Sequence, residues 1–176
     1  MFITVGYLGN QQTNNTEIVD LNGNCNASLP DYPMKLGGGS GVYYNNSIVI
    51  FGGYTNKSYH LQKGGSSFEV FAIIDTDRMS GHAAVVFEGE EEKIWLTGGS
   101  SHSDYLYTTL FIDSNGNTTP GPYLPKPSIF HTVISINKTT SYLIGGMKEY
   151  GIYTTNSRLS AAYLNIHKQA LPRGSK

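Results

Sequence analysis

Histidine exchanges a proton near neutral pH and is the commonest metal ligand, so the five histidines are the first place to look for chemistry. His82 and His131 precede the doublets Gly98-Gly99 and Gly145-Gly146 by 16 and 14 residues. A catalytic group is needed once, whereas these two recur with a repeat. They are expected to tie neighbouring repeats together through hydrogen bonds. His60 and His102 follow glycine doublets and are freer to meet a ligand, but no HxxxH spacing or flanking carboxylates makes a metal site of either. Glu88, Glu90, Glu91 and Glu92 surround Gly89 ahead of Lys93 and read as a charged hairpin tip, without the ligand order of a calcium loop. There is no GxSxG elbow for a nucleophilic serine. Cys25 is the single cysteine, which excludes an internal disulfide and a cysteine-rich metal site. No metal, cofactor or catalytic residue is expected.

The segments after the doublets carry more promising side chains: Tyr54, Tyr59 and His60, then His102, Asp104 and Tyr105, then Lys148 and Tyr150. Tyrosine offers a large contact area at low rotamer cost and a polar tip, so these eight are the candidate binding residues. Asn-x-Ser/Thr occurs at Asn14, Asn26, Asn45, Asn56, Asn117 and Asn137. Chance would give about two or three such acceptor sites at this composition. Six favour a glycosylated, secreted or extracellular protein. Met1 nevertheless runs straight into Phe2-Ile3-Thr4-Val5, with no signal peptide pattern.

Charged residues make up 14%, while glycine reaches 21 and tyrosine 13, a composition for many short strands and tight turns. Twelve basic residues oppose thirteen acidic ones and no basic run occurs, so a nucleic-acid partner is excluded. The apolar runs are strand-sized, and no membrane span is expected.

The elements that must position these side chains are repeats. Glycine doublets follow apolar strands at Gly52-Gly53, Gly98-Gly99 and Gly145-Gly146, and Gly6-Tyr7 falls in the same phase. The first glycines, at 6, 52, 98 and 145, are 46, 46 and 47 residues apart. Leu124-Pro125 and Leu171-Pro172 keep this step, and Leu29-Pro30 lies about two steps earlier. Asp20-Leu21-Asn22-Gly23 and Asp113-Ser114-Asn115-Gly116 are two steps apart, and their Asn-Gly pairs predict type I′ hairpin turns. Inner strands are expected near Gly41 to Tyr44, His82 to Phe87 and His131 to Ile136. Second strands should end at each doublet, and Glu17 to Leu21 and Leu106 to Asp113 should form third strands. By this phase Asn26, Asn45, Asn117 and Asn137 lie on one face of the disc, and Asn14, Asn56 and the post-doublet loops on the other.

A four-stranded unit repeated at this period is a propeller blade. The glycine doublets, the Leu-Pro exits and Gly121-Pro122-Tyr123-Leu124-Pro125-Lys126-Pro127 leading to His131 closely resemble the kelch repeat family. The resemblance implies an all-β, kelch-type β-propeller domain over 1–176, with about four blades of four antiparallel strands at 1–33, 34–79, 80–127 and 128–176. The first blade lacks its inner strand. Because kelch propellers usually close with five to seven blades, the chain is expected to be part of a larger propeller or to close with another chain; a four-blade ring is the bolder alternative. The expected function is a non-catalytic scaffold whose loops recognise a protein or a glycan. The alternative is a sugar-active enzyme of oxidase or epimerase type. Galactose oxidase, related to kelch proteins, uses a crosslinked tyrosine and cysteine at copper, whereas Cys25 lies on the outer side of the first blade.

Overall fold

A computed structural model of the chain describes residues 2–4, 7–8, 10–52, 54–75, 79–89, 91–102, 104–137, 140–149, 152–153 and 157–160. Gly6, Gly53, Tyr150 and Leu171-Pro172 lie outside these residues, as do the side chains of Asn26 and Lys148. In chain order the strands are β1 (Phe2–Thr4), β2 (Tyr7–Leu8), β3 (Gln11–Gln12), β4 (Glu17–Val19), β5 (Cys25–Ser28), β6 (Ser40–Tyr44), β7 (Ser47–Phe51), β8 (Lys57–Gln62), β9 (Glu69–Ile73) and β10 (Met79–Ser80). They continue as β11 (Ala83–Glu88), β12 (Glu92–Thr97), β13 (Ser100–Ser101), β14 (Asp104–Tyr105), β15 (Thr109–Ile112), β16 (Thr118–Pro120), β17 (Ile129–Asn137), β18 (Thr140–Glu149), β19 (Ile152–Tyr153) and β20 (Ser157–Ser160). The fold is all-β and every pairing is antiparallel; the described residues include no helix, and so none long and apolar enough to cross a membrane.

Four main sheets follow one another along the chain. The first is β1-β4-β5, the second β6-β7-β8-β9 and the third β11-β12-β15-β16; in the fourth, β18 pairs with β17 on one side and with β20 and β19 on the other. In the first three sheets the strands pair in chain order, a meander, with β2-β3 and β13-β14 set between strands that pair with each other. Inner strand β6 lies against β11, and β11 against β17. Period-two alternation gives each central sheet two apolar faces. Val49, Phe51 and Tyr44 of the second sheet pack on Ile94, Leu96 and Ile112 of the third. The opposite face of the third sheet sends Ala83, Phe87 and Trp95 onto Val133 and Leu143 of the fourth. The link before β6 supplies Tyr32 and Leu36, which cover Ile50, Leu61 and Phe68 on the remaining face of the second sheet.

The two Asp-x-Asn-Gly turns are built alike, but they are not type I′. Only Gly23 (φ 84°) and Gly116 (φ 79°) have positive φ; Asn22 and Asn115 do not. The glycine N–H bonds back to the Asp20 or Asp113 carbonyl at 3.1 and 3.0 Å, a type I-like turn closed by a left-handed glycine. The aspartate explains the choice. Asp113 Oδ1 accepts the backbone N–H groups of Asn115 and Asn117 at 2.8 and 2.9 Å, and Asp20 does the same for Asn22 and Asn24 at 2.8 Å each. The carboxylate thereby holds the preceding residues in ordinary φ space and ends the third strands early, at Val19 and Ile112. A genuine pair of positive φ angles occurs instead at Asn45 (47°) and Asn46 (58°), joining β6 to β7. Another departure is at Gly145-Gly146, which do not end their strand. There β17, nine residues long, supplies backbone as far back as Ile129 for pairing with Met147.

Candidate functional site

The sheets have two ends. At one lie the glycine doublets and the segments that follow them; at the other lie the hairpin turns joining first to second and third to fourth strands. Around the doublet of the third sheet, β10, β13 and β14 form a small ribbon of their own.

His82 and His131 stand at the doublet end, buried between sheets. A Cβ on Gly52 would lie 3.0 Å from His82 Cε1, and one on Gly98 2.9 Å from His131 Cε1, so each ring occupies space that only glycine leaves free. The doublet of the ring's own sheet backs it: a Cβ on Gly99 would lie 2.9 Å from His82 Cβ, and one on Gly146 2.9 Å from His131 Cβ. His131 Nε2 meets Thr97 Oγ1 across the sheet boundary at 2.8 Å. Neither nitrogen of His82 has a hydrogen-bond partner among the described residues; the Phe51 backbone favours its protonated form without reaching bonding geometry. Burial pushes His82 down to about 4, helped by the neighbouring His131, and burial pushes His131 down to about 4 as well. Both are neutral at physiological pH.

The eight candidate binding residues divide. Tyr54 is exposed directly beyond a doublet, and His102 is exposed in the β13–β14 turn; both hold positive φ, 59° and 51°. Asp104 and Tyr105 form β14, paired with β13 across the His102 turn. Tyr59 and His60 do not belong to a loop. They lie inside β8, because the segment after the second doublet is short and the strand resumes at Lys57. Tyr59 turns toward the link, its ring edge-on to Tyr32 at 5.4 Å, and serves the core. His60 points to the other side and packs on Phe71, ring centroids 5.3 Å apart. Lys148 lies in β18, and Tyr150 is beyond the described residues.

Two residues that the repeat pattern did not single out join the doublet end. Tyr107 and Tyr123 are 50% and 60% exposed and meet edge to face at 5.1 Å. The Tyr107 carbonyl accepts the Leu124 N–H at 2.7 Å, so the pair is pinned by backbone. The signal was present in Tyr105-Leu106-Tyr107, whose alternation projects Tyr107 outward, and in the Pro122-Tyr123 exit segment.

At the opposite end, a cleft of about 330 Å³ opens between the second and third sheets, lined by Asn46, His60, Gln62, Lys63, Phe71 and Ser114 among others. Another cavity of about 340 Å³ lies between β11 and β17, where Glu88 is the single carboxylate among apolar neighbours such as Val85, Val133 and Ile136. The described residues contain no cluster of three potential metal ligands. Cys25 is exposed on β5, where desolvation and the Glu17 carboxylate push its thiol up, away from the reactive thiolate. Asn45, Asn56, Asn117 and Asn137 are exposed, whereas Asn14 is half-buried.

No family model matches the chain, and no curated protein matches it. Among solved structures the chain is similar to YjhT, a kelch-like β-propeller, with a TM-score of 0.60 at 16% identity. The likeness covers 69% of this chain and 37% of YjhT, so the chain spans well under half of that structure's length. At this identity the similarity shows the fold alone.

Proposed function

We propose that the chain is an arc of kelch-type propeller blades whose doublet end is a non-catalytic surface for recognising a protein or a glycan. The observation that carries this reading is the Tyr107–Tyr123 pair, two large exposed rings held on pinned backbone that follows directly on β14. Exposed aromatic groups on a rigid scaffold supply contact area without a large ordering cost. Tyr54 and His102 add positive φ at non-glycine positions, a conformation that concentrates at binding and switch sites. Neither described cleft brings two carboxylates together, as a hydrolytic or proton-transferring sugar enzyme would use them.

The arc itself is motivated by the fourth sheet. Its face away from the third sheet carries Ile134 and Ile144, which are 45% and 40% exposed. The corresponding face of the second sheet, with Val49 and Phe51, and that of the third, with Trp95, are covered by the next sheet in order. A further blade of the same kind fits the open face.

The test is an array of immobilised extracellular proteins and glycans probed with the wild-type chain and with Tyr107→Ala/Tyr123→Ala. Signals present for the wild type and lost in the variant, at unchanged far-ultraviolet dichroism, support the reading. Equal signals from both proteins, or none from the wild type, overturn it.

A further inference from the structure

We infer that the cleft between the second and third sheets, at the hairpin-turn end, is a carbohydrate subsite for a neutral mono- or disaccharide. It is separate from the doublet-end surface and does not depend on it. Its volume, about 330 Å³, lies at the lower end of the ~300–1,000 Å³ usual for small-molecule sites. That suits one or two sugar rings better than a nucleotide or a larger cofactor.

The lining has the chemistry of hydroxyl recognition. Asn45, Asn46, Gln62 and Ser114 offer neutral groups that both donate and accept, as a sugar hydroxyl does. The Asn46 amide oxygen has only a long contact to the Tyr43 hydroxyl, at 3.5 Å. Phe71 and the tilted ring of His60 supply an apolar wall for the C–H face of a pyranose. Lys63 is the one permanent cation and adds a further donor, and no carboxylate lines the cleft.

The backbone fixes these groups in place. The positive φ angles of Asn45 and Asn46 turn the hairpin tightly, and the Lys63 N–H bonds to the Asn46 carbonyl at 3.0 Å, joining the two turns of the second sheet. The Tyr44 hydroxyl donates to the Glu92 carbonyl at 2.7 Å and bridges to the third sheet. Gly116 sits so close on the Phe71 carbonyl that any side chain there would collide, and this brings Ser114 to the rim. The site is therefore composed across a sheet boundary, from residues that the period does not repeat.

Titration of the chain with methyl glucoside, methyl galactoside and N-acetylglucosamine, followed by the His60 ring resonances, tests the assignment. Asn46→Gly retains the left-handed turn while deleting the amide, and Gln62→Ala removes an exposed side chain. Saturable binding of at least one sugar, weakened about tenfold or more in the double variant and unchanged in Tyr107→Ala/Tyr123→Ala, supports the subsite. Absence of saturable binding by all three sugars, or affinity indifferent to Asn46→Gly/Gln62→Ala with thermal stability retained, overturns it.

Discussion

At His131 one ring nitrogen is satisfied by Thr97, and the rest of the ring is enclosed by two glycine doublets. Protonation would place a charge there with no acid acting on it among the described residues. The titratable neighbour acting on His82 is His131, another base, so no charge compensates at that ring either. The unfolded chain binds protons at these histidines near pH 6.5, the folded chain only near 4. Their contribution to stability is therefore complete above about pH 6.5 and is lost as pH falls toward 4. Urea midpoints between about pH 7.5 and pH 4 should decline over this window, and His131→Asn should reduce the slope. A slope unchanged in that variant would remove His131 from the explanation. Sequence spacing assigned both histidines to the repeat because they recur in phase. It could not reveal that glycine leaves room for them, which depends on how adjacent sheets face one another.

The strands and turns were legible to different depths. Doublets at 52 and 98 end β7 and β12 because the left-handed φ of Gly52 and Gly98 interrupts the ladder. At 145 the same residues are absorbed into β18, since the partner strand is long enough to pair beyond them. The Asn-Gly pairs signalled hairpins correctly but the wrong turn, because the preceding aspartate decides which residue takes positive φ. Asn115→Ala should therefore leave the urea midpoint nearly unchanged. Gly116→Ala, at φ 79° and against the Phe71 carbonyl, should cost more than about 1 kcal/mol. Equal effects of the two substitutions would contradict the turn described. Tyr59 and His60 show the same limit. Lys57–Gln62 has weak alternation between apolar and polar residues, so its resumption as a strand was hidden until the neighbouring sheets placed Tyr59 on Tyr32 and His60 on Phe71.

Across the whole molecule, the regular glycine step made the all-β meander readable, because each unit repeats the same backbone problem. The cleft between sheets was not readable, because it joins Asn46, Phe71 and Ser114 from positions the period does not relate. The fourth sheet separates its two faces energetically. Leu143 is buried against the third sheet, and Leu143→Ala should cost about 2–5 kcal/mol in urea unfolding. Ile144, its neighbour on the open face, should cost well under half as much when cut to alanine. A larger loss at Ile144 would mean that the open face is the packed one. Stacking in chain order is most directly measured by nuclear Overhauser contacts from Trp95, the only tryptophan, whose indole signals are unique. The account predicts cross-peaks to the methyl groups of Val133 and Leu143. Contacts from that indole to Val49 or to Tyr44 instead would contradict it.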